Sequence, residues 1–162
     1  MVQSQIVTND REELGIFDVS WLGLLSHIRQ IRRDTKKEVA IHPDILVNEQ
    51  RKWVPFLDGN GNWLKDLSSG NKNAELLLKH LKISFPSKTI AVYKSGTSFH
   101  IYPEGVVMNI SEYSQFCSKF SVEKSEYLDN NWFMVPTEHR GLRWSTGEEE
   151  RPEPSLIKRI TL

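Results

Sequence analysis

Three short stretches of the chain gather the residue types used by phosphate and metal chemistry. The first is Asp58-Gly59-Asn60, directly after the apolar run of KWVPFL at 52–57. A carboxylate at a strand end, with a second oxygen donor two residues on, can hold a divalent cation, because hard metals take oxygen ligands. The second is Ser95-Gly96-Thr97-Ser98-Phe99-His100. Hydroxyls and backbone N–H groups crowded into one tight turn suit a phosphate, and the His100 ring can bond a phosphate oxygen. The third is Asp129-Asn130-Asn131-Trp132, followed by Arg140 and Arg143 in HRGLRWS at 139–145. The forked donors of arginine match phosphate oxygens.

Each stretch also has a plainer reading. Asp58-Gly59-Asn60-Gly61 is a strong turn signal, since both glycines tolerate positive φ and Asp58 can bond nearby backbone. Residues 95–98 make an ordinary hairpin turn, after which His100 can be a packed residue. Arg140 and Arg143 can serve surface ion pairs around a buried Trp144. Other chemistries are poorly supplied. The five histidines, His27, His42, His80, His100 and His139, have no zinc-ligand spacing. There is no phosphate-binding P-loop and no dinucleotide glycine fingerprint. The single Cys117 excludes an internal disulfide and a paired-cysteine zinc site, and it sits in an amphipathic pattern as a packing residue.

The elements that must position these residues read as a mixture of strands and helices. Residues 1–13 are polar and read as a loose lead-in. Ile16, Phe17, Trp21, Leu24, Leu25, Ile28 and Ile31 recur at helical spacing, with Asp18 or Ser20 as cap. Residues 39–47 predict an extended segment, and 52–57 a strand running into the turn at Asp58. Residues 64–70 form a short element or loop. KNAELLLKHLKI at 72–83 predicts an amphipathic helix stopped by Pro86. TIAVY at 89–93 and SFHIY at 98–102 predict a hairpin. A helix over 111–119 capped by Ser111, strands at 132–135 and 142–145, and an edge strand over 155–162 complete the chain. Without a regular βαβ rhythm the fold class is α+β, with a mixed or antiparallel sheet and packed helices.

The chain has 162 residues, with 21 Lys+Arg balanced by 21 Asp+Glu. That length suits a single domain over 1–162. The zero net charge confines any nucleic-acid site to a local patch. No run of about 20 apolar residues and no signal-peptide segment is present, so a soluble, cytoplasmic protein without membrane partners is expected.

Taken in order, these stretches resemble the catalytic core of the archaeo-eukaryotic primase superfamily, the primase-polymerases. KWVPFLDGN at 52–60 resembles its acidic first motif. AELLLKHLKISFPSKTIAVYKSGTSFHIY at 74–102 resembles its helix, strand and Ser-x-His segment and is the most specific stretch. YLDNNWF at 127–133 and RGLRWS at 140–145 resemble its third region. The resemblance covers residues 52–147 and implies a primase-like α+β core, one half of it RRM-like. It implies a nucleotidyltransferase acting on DNA or RNA ends in DNA replication, with Mg2+ or Mn2+ as cofactor and nucleoside triphosphate and nucleic acid as partners. Asp58 and Asp129 would be catalytic; Asp58, Asn60 and Asp129 would hold metal; Ser95, Ser98, His100, Arg140 and Arg143 would bind nucleotide or phosphate. The family's first motif normally supplies two acids, and Asn60 stands at the second here. Asp66 could substitute, Asp18 in GIFDVSW is another candidate acid of the first motif, and a non-catalytic nucleic-acid-binding or replication-accessory module is the alternative. A small protein-interaction domain is the third reading.

Overall fold

A computed structural model describes residues 2–8, 13–18, 29–30, 33–34, 39–84, 89–103, 106–122, 125–134, 142–144 and 154–162. Two sheets carry the chain. The first holds β1 (Val2–Thr8), β2 (Glu13–Asp18), β3 (Val39–Val47) and β4 (Gln50–Trp53) in the order β2-β1-β3-β4. A further strand, β8 (Leu142–Trp144), also pairs with β3. A two-residue turn at Asn48 and Glu49, both at positive φ, folds β3 back onto β4. The second sheet holds β5 (Leu57–Gly59), β6 (Thr89–Ser95), β7 (Ser98–Pro103) and β9 (Ser155–Thr161) in the antiparallel order β5-β7-β6-β9. Helices α1 (Trp63–Ser68), α2 (Lys72–Ser84), α3 (Ile110–Val122) and α4 (Asn130–Met134) accompany it. The fold class is α+β.

The core takes buried residues from both faces of the second sheet and from its helices. Leu57, Val92 and Ile101 share one face by register and are fully buried. On that face the Phe99 ring stacks on the fully buried Trp63 at 5.7 Å. The Trp63 indole N–H donates to the Ala74 carbonyl at 3.0 Å, which ties α1 to α2. Gly59 stands opposite Phe99 in the ladder, and a Cβ there would collide with the ring. Trp53, at the end of β4, exchanges backbone hydrogen bonds with Met108, just before α3, at 2.8 and 2.7 Å.

Several segments depart from the sequence expectation. Val2–Thr8 is a strand rather than a loose lead-in, and Ile16, Phe17 and Asp18 lie in β2 rather than at a helix start. Their apolar side chains fit either period, and pairing with β1 decides it. Of the strand expected over 132–135, residues 132–134 are helical and residue 135 lies outside the described residues; Asp129 accepts the Asn131 N–H at 2.9 Å and starts a turn of helix. Asn109, not Ser111, caps α3: its side chain accepts the Glu112 N–H while Glu112 accepts the Asn109 N–H. Asp58 and Gly59 lie inside β5, and the turn begins only after them. Of the two glycines there, Gly61 is the one at positive φ, at 76°.

Candidate functional site

Asp58 and His100 are cross-strand partners on β5 and β7. Directly opposed residues of an antiparallel pair point to the same face, and alternate residues along each strand join them. The register therefore puts Asp58, Ser98, His100, Tyr102, Tyr93 and Ser95 on one face, opposite the Leu57–Val92–Ile101 face. His100 Nε2 lies 3.7 Å from Asp58 Oδ1. On the other side of the ring, His100 Nδ1 is 3.0 Å from the Tyr102 hydroxyl.

Asp129 reaches the same place through the backbone. Residues 127–129 run along the outer edge of β5: the Asn60 N–H donates to the Tyr127 carbonyl at 2.8 Å, Gly59 bridges Leu128, and the Asp129 N–H donates to the Asp58 carbonyl at 3.0 Å. Asp129 Oδ1 also caps α4. Burial pushes the Asp58 carboxyl up to about 7, and the charge of Asp129 adds to the rise against a hydrogen bond from the Gly59 backbone. Burial pushes His100 the other way, down to about 4, so its imidazole is neutral near pH 7.

The remaining predicted residues fall as follows. Ser95 and Ser98 close the β6–β7 hairpin, where Gly96 takes φ 61° and the Ser98 hydroxyl donates to the Ser95 carbonyl at 3.1 Å. Asn60 is exposed beside β5. Arg143 lies on β8, in the other sheet, paired with Ala40. Arg140 lies outside the described residues. Asp66 accepts the Tyr127 hydroxyl at 2.8 Å, and Asp18 lies on β2, also in the other sheet. Among the described residues, no three His, Cys, Asp or Glu side chains close into a metal-holding group. No described helix is long and apolar enough to cross a membrane.

The sequence alone does not mark Tyr102 or Arg159 as members of this face. Tyr102 was legible in principle, being two residues past His100 on one strand. Arg159 was not: it reaches the face only because β9 pairs with β6, where it stands opposite Ala91, itself opposite Tyr102. Its neighbour Lys158 pairs with Val92 and belongs to the opposite face.

The structure thus joins an antiparallel sheet, an aspartate and a histidine paired across two of its strands, and a second aspartate tied beside them in one α+β chain. The family model of the archaeo-eukaryotic primase 1D-like (AEP-like) proteins matches residues 20–155. The chain belongs to that family. No curated protein and no solved structure gives a significant match.

Proposed function

We propose that the face carrying Asp58 and His100 binds the triphosphate of a nucleotide, and that the chain transfers nucleotidyl groups to a DNA or RNA end with Mg2+ or Mn2+. The observation that supports this most is the Asp58–His100 pairing with Asp129 beside it, since the pairing joins an acidic residue and a histidine able to bond a phosphate oxygen from distant parts of the sequence. The donor set fits one divalent cation: two carboxylates stand close enough for one to raise the other, and a cation would relieve that repulsion. Asp58 and Asp129 would hold it, with the Asn60 amide oxygen as a neutral third donor. A bound cation would neutralise developing charge on the transferring phosphoryl oxygens. His100 would hold a phosphate oxygen through a ring N–H, and the Ser95–Ser98 turn would border the same phosphates.

A second reading is a binding-only member of the family. It is favoured by Asn60 at the second acidic position and by the missing three-ligand group among the described residues. The experiment that separates the two is primer extension by purified protein with each metal, with Asp58→Asn alongside. Extension that Asp58→Asn abolishes supports transfer. Triphosphate binding without extension under either metal supports the binding-only reading.

A further inference from the structure

We propose that Tyr102 is a positioning residue of this site: its hydroxyl donates to His100 Nδ1 and fixes the ring in the tautomer that presents Nε2–H on the Asp58 side. The use of that N–H to hold a phosphate oxygen rests on the function proposed above; the tautomer itself does not.

Two contacts on opposite sides of the ring lead to this assignment. A neutral imidazole carries one N–H, and the partner of each nitrogen decides which. The Tyr102 hydroxyl sits 3.0 Å from Nδ1 and is a buried phenol, 3% exposed. Burial and the nearby Asp58 charge keep that phenol protonated, so it has a hydrogen to give. On the far side, Nε2 faces Asp58 Oδ1 at 3.7 Å. Where Asp58 is ionised, a bare lone pair on Nε2 would oppose its oxygen, whereas an N–H there is attracted to it. The Tyr102 contact selects this tautomer, and an ionised Asp58 reinforces it.

The phenol is itself held. Its ring packs edge-on against Phe56 at 4.9 Å and against Tyr93 at 5.4 Å. His100 and Tyr102 are two apart on β7, so the strand pleat puts both on one face without any loop contribution. The consequence is a neutral donor for an anion. With the other tautomer, Nε2 would turn a lone pair toward phosphate oxygens and repel them.

The test is long-range 1H–15N correlation of the His100 ring in 15N-labelled protein, for wild type and Tyr102→Phe. The expected wild-type spectrum shows Nε2 protonated and Nδ1 bare, and Tyr102→Phe shifts the ring toward a mixture. Adenosine triphosphate affinity with Mn2+ should fall roughly five- to tenfold in Tyr102→Phe, the scale of one lost hydrogen bond. A wild-type ring protonated on Nδ1 overturns the proposal, and that reading needs no variant to fold. An unchanged tautomer in folded Tyr102→Phe also overturns it. If the tautomer is as expected and relaxes in the variant while wild type binds no triphosphate, the role of Tyr102 stands and the function proposed above falls.

Discussion

Asp58 and His100 face each other across β5 and β7 with 3.7 Å between Oδ1 and Nε2, and burial acts on them in opposite directions. It raises the acid and lowers the base, so the fold favours an uncharged pair over an ion pair. A raised carboxyl costs the folded state stability above its unfolded pKa, and that cost disappears as pH falls from about 7 to 3.8. A lowered histidine costs stability in the reverse sense, as pH falls from 6.5 to about 4. Between about pH 4 and 6.5 the two slopes offset each other.

Single substitutions should uncover each slope. Asp58→Asn should be more stable than wild type at pH 8, by about 2 kcal/mol after allowing for partial solvation, and lose that advantage by pH 4. His100→Gln should leave the Asp58 slope exposed, so that its stability rises as pH falls from 7 to 4. Urea unfolding at a series of pH values measures both. An Asp58→Asn protein less stable than wild type at pH 8 would show that Asp58 is a structural partner of His100 rather than a strained site residue.

Gly59→Ala should destabilise the protein by about 1–3 kcal/mol, the usual range for overpacking, because the added methyl meets the Phe99 ring stacked on Trp63. Thermal unfolding reads this directly. A variant with the wild-type midpoint would mean that the ring moves aside at no cost.

Arg159 and Lys158 are adjacent cations on opposite faces of one strand, which makes each a control for the other. If phosphates of a nucleic acid lie along the Asp58–His100 face, Arg159→Ala should weaken single-stranded DNA binding about three- to tenfold and reduce its salt dependence. Lys158→Ala should leave both nearly unchanged. Fluorescence anisotropy with a labelled oligonucleotide decides it; equal losses from the two variants would point to a diffuse electrostatic effect without a preferred face.

The hairpin over 89–103 and the helix over 72–84 were legible in the sequence because local signals agreed: alternation broken by Ser-Gly-Thr, and apolar residues at helical spacing ended near Pro86. Asp58, His100 and Asp129 were legible as chemistry from their residue types and order. Their proximity was not, since it depends on β5 pairing with β7 and on 127–129 running along β5. In the sequence Asp58 reads as the start of a turn because Gly59 looks like a turn glycine. Its real requirement is the close approach of Phe99, a tertiary contact. Trp132 onward reads as a strand in the sequence until the cap from Asp129 to Asn131 is known. The roles of Tyr102 and Arg159 in the face needed the register of β7, β6 and β9.

Asn60 is exposed beside β5 and supplies an oxygen without charge. Asn60→Asp should raise Mn2+ affinity, by roughly tenfold if the amide now serves as a weak ligand, because a carboxylate adds charge to the donor set. Calorimetric titration with Mn2+ at pH 8 checks it. No gain in affinity would place residue 60 outside the metal's reach.

Calorimetry of adenosine triphosphate binding at pH 8, with and without Mn2+, on wild type and Asp58→Asn bears most directly on the site. Wild type should bind in a Mn2+-dependent manner. Asp58→Asn should bind at least about tenfold more weakly although it is the more stable protein, the pattern of a residue kept for function at a cost in stability. Wild-type protein that binds no triphosphate with Mn2+ or Mg2+, or Asp58→Asn protein that binds as tightly as wild type, would contradict the assignment.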